Sequence, residues 1–136
     1  MNTTNYRNTF IEVAPDSKAL GAEEPPARSG PPTVAELQYR MVTEHPYRYS
    51  SDDVLFAVYA ERAGLPEAEW PSARAEFFAK DQACFRASPL PKRYGWGVHH
   101  DAEERIALVP QGSRLYEELQ SDPDLTHLRA MRSSRD

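Results

Sequence analysis

The chain has 136 residues, of which 40% are hydrophobic and 27% charged, with 12 prolines, one cysteine and a formal net charge of −5. This length fits one domain with a core of its own. A single cysteine excludes an internal disulfide, and the acidic balance speaks against a nucleic-acid binder, whose phosphate contacts need clustered cations. No apolar run approaches the roughly 20 residues of a membrane span, and Met1-Asn2-Thr3-Thr4-Asn5 has neither the basic nor the apolar region of a secretion signal. The reading is a single globular domain over 1–136, cytoplasmic, with no membrane partner.

Residues 6–13 alternate as a strand, with Phe10 and Ile11 giving apolar weight to both faces. Residues 14–32 hold five prolines and two glycines without apolar period, and read as a long loop that is functional or mobile. Thr33 and Glu36 form a capping-box pattern opening a helix that ends near Pro46. Ser50 or Ser51 caps a second helix, with Asp52 and Asp53 in its first turn and Gly64 past its end. A third helix is expected over 67–80, with Trp70, Ala73, Phe77 and Phe78 inward.

From Ala83 the pattern reads as β. Strands are expected over 83–88, 94–100 and 105–109, the last two joined by a polar hairpin at 101–104. Ser113 caps a fourth helix, and Asp122-Pro123 opens a short fifth one with Leu125, Leu128 and Met131. The basic end, His127 to Arg135, reads as a solvated helix terminus. The fold class is α+β: an antiparallel sheet of about four strands flanked by about five helices.

The stretch from Cys84 to Asp101 gathers most of the candidate chemistry. Strand alternation puts Gly95, Gly97 and His99 on one face and Tyr94, Trp96, Val98 and His100 on the other. Glycines inside a strand mark close approach by another element or by a ligand. Arg86 and Arg93, with Lys92, are candidate anion clamps; with Gly95, Trp96, Gly97 and His99 they make up the candidate ligand-binding set. Cys84 and Ser88 are candidate nucleophiles, with His99 as base and Asp101 as its orienter. No nucleophile elbow surrounds Ser88, because Pro89 follows it. His99 and His100 diverge to opposite faces and no metal-ligand spacing occurs, so neither metal nor cofactor is expected.

Several segments together resemble an uncharacterised bacterial domain-of-unknown-function family: Asn2 to Tyr6, Asn8 to Pro15, Thr33 to Tyr39, Ser51 to Phe56, Arg86 to Leu90, Lys92 to Gly97, and the terminal Ala130 to Arg135. The resemblance spans nearly the whole chain and implies a stand-alone bacterial domain, with no activity, ligand or site residue to carry over. Where that family has a glycine-like turn after the hairpin acid, this chain has Glu103-Glu104.

Three functional readings follow. The first is binding of a small anionic ligand or a protein partner on the face around Arg86 and His99, partly covered by the proline-rich loop. The second is a small enzyme with His99 as general acid or base and Arg86 stabilising developing negative charge. The third is a structural homodimer formed through a sheet edge.

Overall fold

The computed structural model describes residues 2–134. Its centre is a four-stranded sheet in the order β3-β2-β1-β4, built from β1 (Thr9–Glu12), β2 (Trp96–His100), β3 (Ile106–Pro110) and β4 (Thr126–Arg129). The β1–β2 and β2–β3 pairs are antiparallel, whereas β4 runs parallel to β1. The sheet is therefore mixed rather than wholly antiparallel.

One face carries Ile11, Val98 and Ile106. It packs beneath α1 (Val34–Glu44) and α2 (Ser51–Arg62) through Val42, Val54 and Val58. The opposite face carries Phe10 and Val109 and is covered by Tyr116 and Leu119 of α5 (Arg114–Gln120). A third cluster, around Phe56, Ala60 and Phe78, joins α2 to α3 (Trp70–Phe77). Apolar weight on both faces of β1 thus reflects a strand covered on both sides.

Local rules set the helix starts. Thr33 accepts from the Glu36 backbone N–H (3.2 Å), while the Glu36 side chain turns to Arg40 (3.5 Å) instead of closing a capping box. Ser50 and Asp53 do form a reciprocal capping box, and Gly64 has a φ of 68° just past the α2 C-cap Ala63. Asp52, also in that first turn, is buried. Its carboxylate accepts from the Thr3 hydroxyl and from the Thr4 backbone and hydroxyl, each at 2.7 Å, which fastens the N-terminal segment to α2.

Two segments depart from the sequence reading. Residues 83–88 are not a strand: a single 3-10 turn at Phe85–Ala87 leads into a further helix, α4 (Pro89–Arg93). Ser88 caps that helix by accepting from the Leu90 N–H (3.1 Å), and Pro89 sits at its first position, where the missing N–H costs nothing. The proline that reads as a break is a helix start. Residues 122–131 are not a helix either. Leu125, Leu128 and Met131 fit a helical stripe, but Leu128 and Ala130 also fit alternation, and so short a run cannot separate the two. The open backbone edge of β1 decides, and β4 fills it, with Thr126 N–H donating to the Asn8 carbonyl and Ala130 N–H to that of Glu12 (both 2.8 Å). Of the basic end, His127 and Arg129 lie in β4, and Arg135 lies outside the described residues.

The 101–104 hairpin turn forms as expected. The Asp101 carboxylate accepts from the Glu103 and Arg105 N–H groups (both 2.9 Å). Glu104 sits at φ 69°, a left-handed conformation that glycine adopts most easily, which is the physical content of the glycine-like turn at this point. Among the described residues, no helix is long and apolar enough to cross a membrane.

Candidate functional site

The candidate residues between Cys84 and Asp101 do not share one surface. Gly97 lies against the aromatic cover of the sheet: a methyl group added there would meet Phe10 Cζ at 2.7 Å and Tyr116 Cε2 at 2.9 Å. Its lack of a side chain makes room for those rings. Gly95, at φ 78°, lies under the backbone of Gly21, and the neighbouring Trp96 donates its indole N–H to the Glu23 carbonyl (2.8 Å) and packs edge-on against Tyr39. The proline-rich segment is accordingly fastened down over this strand. Ala14 N–H donates to the Pro91 carbonyl (2.9 Å) and Glu23 N–H to that of Tyr94 (2.8 Å).

Arg86 works as a chain fastener. Its Nε–H donates to the Arg129 carbonyl (2.7 Å), and its own carbonyl accepts from Met131 N–H (2.8 Å), which ties the exit of β4 to the 3-10 turn. Ser88 is buried, donating to Gln38 Oε1 (2.6 Å) besides capping α4. Cys84 Sγ lies 3.3 Å from the Tyr6 hydroxyl, and the Tyr6 ring meets His100 edge-on. Burial, with the neighbouring Cys84, pushes the Tyr6 phenol up to about 12.

His99 belongs to the other face, paired with Phe10 across β1. Cys84 touches the Tyr6–His100 side of the sheet, so strand alternation separates the candidate nucleophile from the candidate base.

What His99 does meet is Tyr47, whose hydroxyl lies 2.8 Å from its Nδ1. Tyr47 has a φ of 58° and is held there by its N–H bond to the Ile106 carbonyl (2.8 Å), where 47–50 runs along the outer side of β3. Left-handed backbone is uncommon for so bulky a residue. Burial lowers the His99 pKa, opposed by the Asp101 and Asp122 carboxylates, and burial and Asp101 both raise that of Tyr47. Both groups are therefore neutral near pH 7 and share one hydrogen bond between the Tyr47 hydroxyl and Nδ1. His127, the register neighbour of Phe10 on the other side, donates Nε2–H to the Asp122 carbonyl (2.6 Å) and lies 3.5 Å from Glu12. Among the described residues no group of three or more His, Cys, Asp or Glu is placed to hold a metal.

Arg93 and Lys92 lie elsewhere. Both line a cavity of about 330 Å³ whose opposite walls are Asp16, Ser17 and Lys18 from the proline-rich segment and Ser133 and Ser134 from the C-terminal one. Asp16 joins these two walls, its Oδ2 accepting the backbone N–H groups of Ser133 and Ser134 (both 3.0 Å). Among the described residues Lys18, Lys92 and Arg93 make no ion pair, although acidic residues outnumber basic ones in this chain. Larger hollows lack this character. One of about 720 Å³ beside α3 is lined by Tyr59, Leu65, Ala73 and Phe77, with Lys80 as its one cation.

Sequence reasoning singled out Lys92 and Arg93 but not Asp16, Lys18 and Ser133, which share this cavity with them. These lie in two segments without periodicity, 115 or more residues apart in the chain, and no local signal joins them. Tyr47 was missed for the same reason, since it follows Pro46 in a turn.

Fold and cavity together define a small mixed-sheet α+β domain with cations gathered where its N-terminal loop, α4 and C-terminal segment meet. The chain belongs to a family of unknown function, DUF6157, whose model matches residues 1–136. No curated protein and no solved structure matches it.

Proposed function

We propose that this protein is a binding domain for a small anionic ligand, held in the cavity between Lys18, Lys92 and Arg93. The single observation that carries this reading is the set of three cations that, among the described residues, form no ion pair around one concave site. Unpaired cations repel one another, and an anion removes that repulsion while gaining charge-assisted hydrogen bonds. Lys92 and Arg93 also sit in the last turn of α4, where cations are favoured, but Lys18 comes from a different segment and has no such reason to be there. A bacterial cytoplasm, where Cys84 stays reduced, is the compartment that suits this reading.

The test is thermal unfolding in inorganic phosphate against chloride at equal ionic strength. Phosphate should raise Tm in the natural chain through mass action, and the Lys92→Gln/Arg93→Gln double variant should show no such rise. An equal rise in both proteins would refute the site.

The acid–base reading rests on one other observation, the 2.8 Å contact between the Tyr47 hydroxyl and His99 beside Asp101. A homodimer joined edge to edge would have to use the outer side of β4 around His127, because 47–50 runs along that of β3 and Arg86 occupies the exit of β4.

A further inference from the structure

We propose that the ligand of this cavity is the phosphate monoester of a small hydrophilic molecule, such as a sugar phosphate. The inference rests on the anion-binding reading above and deepens it through the charge, donors and walls of the same site.

Among the described lining residues, three cations against one carboxylate leave an excess of two positive charges. The Asp16 carboxylate is itself partly compensated by the two backbone N–H groups it accepts. A phosphate monoester carries close to two negative charges at neutral pH and presents three acceptor oxygens from one atom. A monocarboxylate leaves one cation unmatched. The Arg93 fork suits two phosphate oxygens at once, and the two lysines act as point charges. Ser17 and Ser133 add hydroxyls that donate to phosphate or to a polyol.

The walls narrow the organic part. None of the lining residues is aromatic or a branched aliphatic. A nucleobase is held by stacking on a ring, and an apolar acid by burial against hydrocarbon; this cavity offers neither. Its volume of about 330 Å³ lies at the small end of ligand sites, room for a phosphoryl group and a short polyol.

The experiment is calorimetric titration of the full chain with glycerol 3-phosphate, glucose 6-phosphate, succinate and AMP, at fixed ionic strength. One or both polyol phosphates should bind at least about tenfold more tightly than succinate or AMP. Arg93→Gln or Lys18→Gln should weaken that binding about tenfold or more, while the exposed Lys80→Gln outside the cavity leaves it unchanged. Amide NMR spectra of each variant establish that it is folded. Succinate or AMP matching the polyol phosphates, with the same loss in Arg93→Gln, overturns the ligand class and leaves the anion site standing. Failure of every probe up to about 10 mM, or binding indifferent to Arg93→Gln and Lys18→Gln, overturns both.

Discussion

His100 gives the protein a built-in acid sensitivity of calculable size. Its side chain is fully buried beside Tyr6, and its ring nitrogens lie near the Val98 and Thr9 backbone without making a hydrogen bond of good geometry. Burial pushes its pKa from 6.5 down to about 4; His99 adds to the lowering, and Asp101 and the backbone of Val98 and Thr9 oppose it. The folded chain therefore excludes a proton that the unfolded chain accepts. Stability from this group is complete above pH about 6.5, falls as pH drops, and is fully lost below about 4. The interval between 6.5 and about 4, at about 1.36 kcal/mol for each pH unit crossed, makes that loss about 3 kcal/mol. Replacing His100 by Leu removes the titration without orphaning any hydrogen-bonding partner. Urea unfolding of both proteins across pH about 7.5 to 4 measures the difference, in which the common titration of surface carboxylates cancels. The two stabilities should lie within about 1.5 kcal/mol of each other at neutral pH, and the variant should gain about 3 kcal/mol on the natural chain by pH 4. Parallel pH profiles would refute the reasoning.

Gly97→Ala should destabilise by about 1–3 kcal/mol, because its methyl group falls within 3 Å of both the Phe10 and Tyr116 rings in a filled layer; unchanged urea unfolding would mean that those rings yield freely. Tyr47→Phe removes the hydroxyl bonded to His99 Nδ1; the His99 pKa, read by NMR titration, should start below 6.5 in the natural chain, and should rise in the variant where that hydroxyl donates to the neutral ring or fall where it accepts from Nδ1–H. An unmoved His99 pKa would show that burial alone sets it and that the contact plays no part in proton chemistry.

Elements whose signals are local were legible in the chain. Thr33 and Ser50 mark helix starts through side-chain oxygens placed within one turn of the N–H groups they accept. Gly64 and the Asp101 turn act over similarly short spans. The glycine-bearing strand read over 94–100 forms over 96–100, with Tyr94 capping α4 and Gly95 in a left-handed turn before it, and its packing alternative describes Gly97. Where the signal was one of contrast between two short patterns, the sequence was ambiguous. Ser88-Pro89 opens a helix as readily as it closes a strand, and Leu125 to Met131 suits either period.

The amino-acid order by itself determined the α+β class, a sheet flanked by helices, and the approximate positions of α1, α2, α5, β1, β2 and β3, because caps, turns and alternation act between neighbours. Only the tertiary structure decided that β4 runs parallel to β1, that Arg86 bonds the Arg129 backbone, and that Lys18 and Ser133 meet Lys92 and Arg93 around one cavity. Those outcomes depend on backbone groups and charges brought together from opposite ends of the chain. Nothing in the spacing of residues along the chain encodes such a meeting until the core has closed.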